Sequence, residues 1–209
     1  MQIYTQTLPQ NTKKLVEILQ KEKPNFLTNF YLSGGTALSL QIGHRESEDL
    51  DFFSQESFDP SRLQVELEKL GKLENLELAT GTLNTYLEGA KLQFLAYPYH
   101  LLENVYDWQS INLSSISDIA CTKLQTISMR GSKKDFIDLF FILQDYSLED
   151  LFKKLAKKYF SSDFNQAHIL KSLVYFEDAE KQPMPRMHMQ IEWKEIKARI
   201  IKEVKGLSL

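Results

Sequence analysis

Between Tyr31 and Phe53 the chain reads YLSGGTALSLQIGHRESEDLDFF. Adjacent glycines, Gly34 and Gly35, follow one apolar strand pattern, and two aspartates one residue apart, Asp49 and Asp51, sit in the next. Glycine loosens backbone and carboxylates resist burial, so this arrangement costs stability unless the segment binds something. Alternate side chains of a strand share a face, so Asp49 and Asp51 point one way and Leu50 points into the core. Two carboxylates that close repel each other unless a cation lies between them. Magnesium, or manganese in its place, is satisfied by one or two carboxylates plus substrate phosphates and water. Gly34 and Gly35, at a strand-to-helix junction, let backbone amides approach a phosphate, and the helix beginning near Thr36 adds the positive end of its dipole. Ser33 and Thr36 are candidate hydroxyl donors. One half of the segment suits phosphate and the other suits the metal that phosphate carries.

The rest of the chain is compatible with a folded protein around such a site. Its 209 residues suit one large domain or two small ones, and 43% hydrophobic with 25% charged residues is a globular composition. A formal charge of −3 gives no general attraction to nucleic acid, so any such contact needs a local patch. The single cysteine, Cys121, excludes an internal disulfide and suits a reducing compartment. No apolar run approaches the ~18 residues of a membrane span, and the N-terminus lacks a signal-peptide core. The expectation is a cytoplasmic protein without membrane contact.

NTKKLVEILQKE has helical spacing with Asn11 as a candidate cap. FYLSG and DLDFF read as strands flanking the helix TALSLQI, with Gly43 at its C-terminus. DPSRLQVELEKLG is a further helix, and NLELATGTLNTYLEGAKLQFLAYPY reads as strands broken at Gly81 and Gly89. After about Ser110 the pattern is helical only: 117–130, 133–144, 148–159, 164–176 and 193–204. The expected organisation is a mixed α/β (α+β) sheet core over residues 1–110 and a helical region over 111–209 packed on it.

Strand, Gly-Gly-Thr, helix, then D-x-D resembles the signature of the polymerase-β nucleotidyltransferase superfamily. Glycosyltransferases also use D-x-D, but only a short helix and strand fit before Asp49, too little for their nucleotide-binding unit. Phosphatases of the haloacid dehalogenase type favour D-x-D-x-T, and here the run continues DFFS. With DIACTKLQTISMRGSKKDFIDLFFIL and SLVYFEDAEKQPMP, the segment resembles the AbiEii/AbiGii toxin family of nucleotidyltransferases. The resemblance implies a polymerase-β-type core with a helical region behind it and a metal-dependent transfer of a nucleoside monophosphate from an NTP (ATP, GTP, CTP or UTP). RNA such as tRNA, or a protein hydroxyl, is the implied acceptor, and a cognate antitoxin the implied partner.

The superfamily normally places a third carboxylate on a later strand. In AKLQFLAY, Leu92, Phe94 and Ala96 face the core and Gln93 takes that place, with Glu88 as the nearest acidic substitute. A glutamine carries no charge and serves as no base, so an alternative is a catalytically degenerate nucleotide-binding protein acting through a partner. Lys123 falls on the apolar arc of Ile116, Ile119, Ala120, Leu124 and Ile127, where an ammonium needs a negative partner. That partner is a triphosphate in one reading and an internal carboxylate in the other. Arg130 lies on the same arc. Ser132 and Asp135 form a near capping-box pair, and Asp138 stands one turn on. The resemblance puts Lys123, Asp135 and Asp138 in the active site.

Arg45 is a candidate phosphate clamp. Four histidines without metal-ligand spacing argue against zinc. The lysines of KKLAKK (153–158) and of EWKEIKARIIKEVK suit either an RNA surface or solvated helix faces.

Overall fold

The computed structural model describes residues 2–160 and 165–207. In chain order the elements are α1 (Gln10–Glu22), β1 (Tyr31–Ser33), α2 (Gly34–Ile42), β2 (Leu50–Ser54), α3 (Pro60–Glu68), β3 (Leu73–Ala79), β4 (Thr82–Leu87) and β5 (Ala90–Ala96). They continue with β6 (Tyr106–Trp108), β7 (Ile111–Leu113), α4 (Ile116–Arg130), α5 (Lys133–Ile142), α6 (Leu148–Lys158), α7 (Gln166–Leu173), α8 (Glu177–Glu180) and α9 (Trp193–Gly206). The strands form one mixed sheet in the order β3-β4-β5-β2-β1-β7-β6.

Register follows from burial. Leu50, Phe52, Leu92 and Phe94 are fully buried, and the β2–β5 parallel pairing sets Leu50 beside Leu92 and Phe52 beside Phe94. The alternate residues, Asp51 and Gln93, fall beside each other on the opposite face. Helices α1 and α3 pack against β3 to β5, while α2 bridges β1 and β2 to α4 and α5. One continuous apolar core runs from Leu15 in α1 through the strands to Leu124 in α4, Phe136 in α5 and Ile200 in α9. Among the described residues no helix is long and apolar enough to cross a membrane.

The mixed α/β expectation holds, with corrections. Strand β7 lies past residue 110 and pairs in parallel with β1, so the sheet is completed by residues 111–113 and the helices start at Ile116. Helix α1 begins at Gln10 with Pro9 at its N-cap, and no side chain caps it. Asn11 packs instead against the Gly89 turn. Asp49 precedes β2 rather than lying within it. The helix expected over 164–176 spans Gln166–Leu173, and its expected first residue, Phe164, lies outside the described residues.

Candidate active site

The antiparallel β1–β2 pairing sets Ser33 beside Asp51, and the parallel β2–β5 pairing sets Asp51 beside Gln93. Above this row the first turns of α2 and the facing sides of α4 and α5 close a cavity of about 130 Å³. Gly34, Gly35, Asp49, Asp51 and Gln93 line one side of it, and Lys123, Arg130, Lys134 and Asp135 the other. The pieces that the sequence separates by as much as a hundred positions meet here.

The glycines are explained by what they leave room for. Gly34 has φ +68°, and a Cβ there would lie 2.5 Å from Asp51 Oδ2. A Cβ on Gly35 would lie 2.5 Å from Arg45 Nη2 and 3.2 Å from Ser47 Oγ. The turn therefore admits a carboxylate on one side and a guanidinium on the other. Thr36 is fully buried, and its hydroxyl bonds to the Asp49 carbonyl and to Ser47 Oγ, fixing the approach to β2. Ser33 Oγ accepts a hydrogen bond of 3.0 Å from Ser114 Oγ, which ties β1 to the chain just past β7. Neither hydroxyl lines the cavity.

Behind the cavity wall lies a closed ionic network. Asp138, fully buried, accepts from Arg45 Nε at 2.7 Å and Nη2 at 2.8 Å, and bonds His44 Nε2 at 2.8 Å. Lys123 Nζ lies 2.6 Å from Asp138 Oδ2 and 2.7 Å from Asp135 Oδ1. Ser132 donates to the other oxygen of Asp135, spending on that carboxylate the hydroxyl that a helix cap would use. Burial alone would raise Asp138, but Arg45, Lys123 and His44 hold it well below the usual carboxylate range. Burial likewise opposes the ionised forms of Asp135 and Lys123, and their mutual pairing outweighs it, lowering one and raising the other. His44 goes down: desolvation outweighs its bond to Asp138, and its buried Nδ1 has no partner.

The sequence left two partners open for Lys123, and the structure supplies the internal one. Asp138 does not reach the cavity and has every acceptor occupied. The guanidinium of Arg45 is committed to Asp138 and to the Glu46 carbonyl, although its edge lines the cavity.

Asp49 and Asp51 differ. Neither has an ion-pair partner among the described residues, and Asp51 is pushed up by burial and by Asp49 beside it. Glu88 sits in the β4–β5 turn, paired with Lys14 at 2.6 Å, and lends nothing to the cavity. No group of three or more metal-binding side chains occurs among the described residues. Two unpaired carboxylates on one wall, with Gly34 giving Asp51 its space, nevertheless suit an ion of the magnesium type whose remaining ligands come from substrate and water.

Two features were not read from the sequence. Lys134 lines the cavity with no ion-pair partner among the described residues; its only signal was a second lysine before Asp135. Lys158, on the candidate RNA-binding run, is buried at 2.6 Å from Asp118. In the same run Lys153 pairs with Glu149 and Lys154 with Glu103, so three of these lysines face internal partners. Cys121 is buried, its thiol pushed up to about 12 by burial, and plays no part in the cavity.

Comparison with known proteins follows this geometry. The chain is 40% identical over 185 residues to an uncharacterized protein of Aquifex aeolicus (strain VF5), covering 85% of this chain and 87% of that one. Its fold resembles a Helicobacter pylori protein crystallised as a candidate nucleotidyltransferase (TM-score 0.57, 15% identity, 94% of each chain). It also resembles MenT4, a nucleotidyltransferase toxin of Mycobacterium tuberculosis H37Rv (TM-score 0.52, 12% identity, 98% of this chain and 88% of that one). The model of one family, described as nucleotidyl transferase AbiEii toxin of a type IV toxin–antitoxin system, matches residues 17–99 and 94–205, and the chain belongs to that family.

Proposed function

We propose that this chain transfers a nucleoside monophosphate from a metal-bound NTP to a hydroxyl of RNA, tRNA included, or of a protein, and acts as the cytoplasmic toxin of a toxin–antitoxin pair. One observation carries the reading: two unpaired carboxylates, Asp49 and Asp51, stand beside the Gly34–Gly35 turn in a cavity that Lys123, Arg130 and Lys134 also line. The cavity, about 130 Å³, is below the ~300 Å³ at which pockets enclose a drug-sized ligand. It suits a polyphosphate and an ion, with the nucleoside lying in the open mouth. Two neighbouring hollows, of about 420 and 250 Å³, also reach Asp49, giving a second substrate access to that carboxylate.

In this reading the acceptor oxygen bonds to the α-phosphorus while the bond to the bridging oxygen breaks and pyrophosphate leaves. Asp49 and Asp51 would hold magnesium or manganese, which when bound offsets the charge developing on the phosphates. The amides of the Gly34–Gly35 turn hold the phosphate oxygens at the α2 N-terminus. Lys123, paired with both Asp135 and Asp138, holds that side of the cavity in place. The acceptor proton cannot go to Gln93, which has no basic atom, and passes to Asp51 beside it in the sheet.

The test is incubation with each labelled NTP, magnesium and total RNA or protein. Label should enter an acceptor with wild type and not with Asp49→Asn or Asp51→Asn; wild type that labels nothing and binds no NTP would refute the proposal. Gln93 beside Asp51 favours a second reading, a nucleotide-binding protein without turnover that acts through a partner. Calorimetric binding of a nonhydrolysable NTP without any transfer would select it.

A further inference from the structure

The charges around the cavity do not divide evenly. Asp135, Asp138, Lys123 and Arg45 form a set of two anions and two cations, each within 2.8 Å of its partner and all nearly inaccessible to water. Introducing a triphosphate at Lys123 or Arg45 sets it against carboxylates already bound there. Outside this set stand two carboxylates, Asp49 and Asp51, and two cations, Arg130 and Lys134. Arg130 is loosely held, 3.7 Å from Asp135 Oδ2 and largely exposed. Lys134, in the first turn of α5, is exposed and has no ion-pair partner among the described residues.

Lys134 also has a particular position. It lines both the 130 Å³ cavity and the adjoining 250 Å³ hollow, which runs between the Arg45–Asp49 segment and Pro185–Arg186. The residues common to both are Arg45, Ser47, Asp49 and Lys134, so among the described residues Lys134 is the one uncommitted cation at their junction.

Resting on the nucleotidyl-transfer reading, we infer that Lys134 is the β,γ-phosphate grip of this enzyme, and that pyrophosphate departs past it through the hollow beside Arg186. Its ammonium neutralises charge on the two phosphates that leave and touches nothing on the nucleoside side.

The experiment measures binding of magnesium with a nonhydrolysable NTP, with inorganic pyrophosphate and with NMP to wild type, Lys134→Gln and Lys134→Arg. One charge-assisted contact corresponds to about 10- to 100-fold in affinity. Lys134→Gln should lose that much for NTP and pyrophosphate and change little for NMP, Lys134→Arg should recover most of it, and the melting temperature should hold in both. NTP and pyrophosphate binding unchanged in Lys134→Gln would overturn the assignment. So would an equal loss for NMP, because the lysine would then act at the α-phosphate. Wild type that binds neither NTP nor pyrophosphate would overturn the transfer reading itself, and this inference with it.

Discussion

Asp51 and Asp138 belong to one site, and their surroundings drive them in opposite directions. Burial and the neighbouring Asp49 outweigh the attraction of Lys123, Lys134 and Lys91, so the ionised form of Asp51 is disfavoured in the folded protein. A raised folded pKa contributes stability at low pH and loses it as pH rises through that value. Asp51→Asn should therefore abolish transfer while leaving the apo melting temperature at neutral pH unchanged or slightly higher, a difference that vanishes on acidification. Asp138 is the reverse. Its depressed pKa adds stability above the unfolded value of ~3.9 that is lost as pH falls through the folded one. Asp138→Asn strands Arg45 and Lys123 and should cost about 3–5 kcal/mol in chemical denaturation. His44 adds a slope nearer neutrality, because the unfolded chain takes up a proton below ~6.5 that the buried ring does not. Comparing wild type with His44→Gln from pH 7.5 to 5 should show wild type losing stability more steeply on acidification.

At the scale of elements, the β2–β5 pairing has the sharpest consequence, since it sets Gln93 at the side of Asp51. Gln93→Asp creates a third carboxylate there. The apo protein should melt lower through like-charge repulsion, and manganese, followed by calorimetry, should bind more tightly and restore the loss. This strand was readable in advance because Leu92 and Phe94 alternate with polar neighbours, which fixes the face of Gln93. The glycine–aspartate segment was readable because backbone freedom and charge stood out against apolar runs. What the sequence did not show was pairing across helices. Helical periodicity places Lys123 on an inward arc and gave no such sign for Lys158; the carboxylates they meet sit at positions 135, 138 and 118, and only the packing of α4 against α5 and α6 selects them. Strand β7 escaped because three residues are too short for period-2 alternation to register.

Across the whole molecule β7 in the sheet and the connector before α9 join the two halves, in addition to the packing of α2 on α4 and α5. Arg45 pairs with Met187 in an isolated bridge, Glu46 N–H donates to the Arg186 carbonyl, and His188 and Met189 N–H donate to the His44 carbonyl. A molecule built this way should unfold in one transition, with calorimetric and van't Hoff enthalpies equal. Residues 1–110 alone, lacking β7 and the α4–α5 wall, should fail to give a cooperative melt. The joins also impose an order in time. The loop carrying Arg45 is made early in synthesis, but its ionic partner Asp138 and its backbone partners at 186–189 emerge far later. A chain halted before residue 138 leaves this loop without either brace, and one halted before residue 186 leaves it held by Asp138 alone, so the walls of the cavity are complete only once synthesis has passed residue 189.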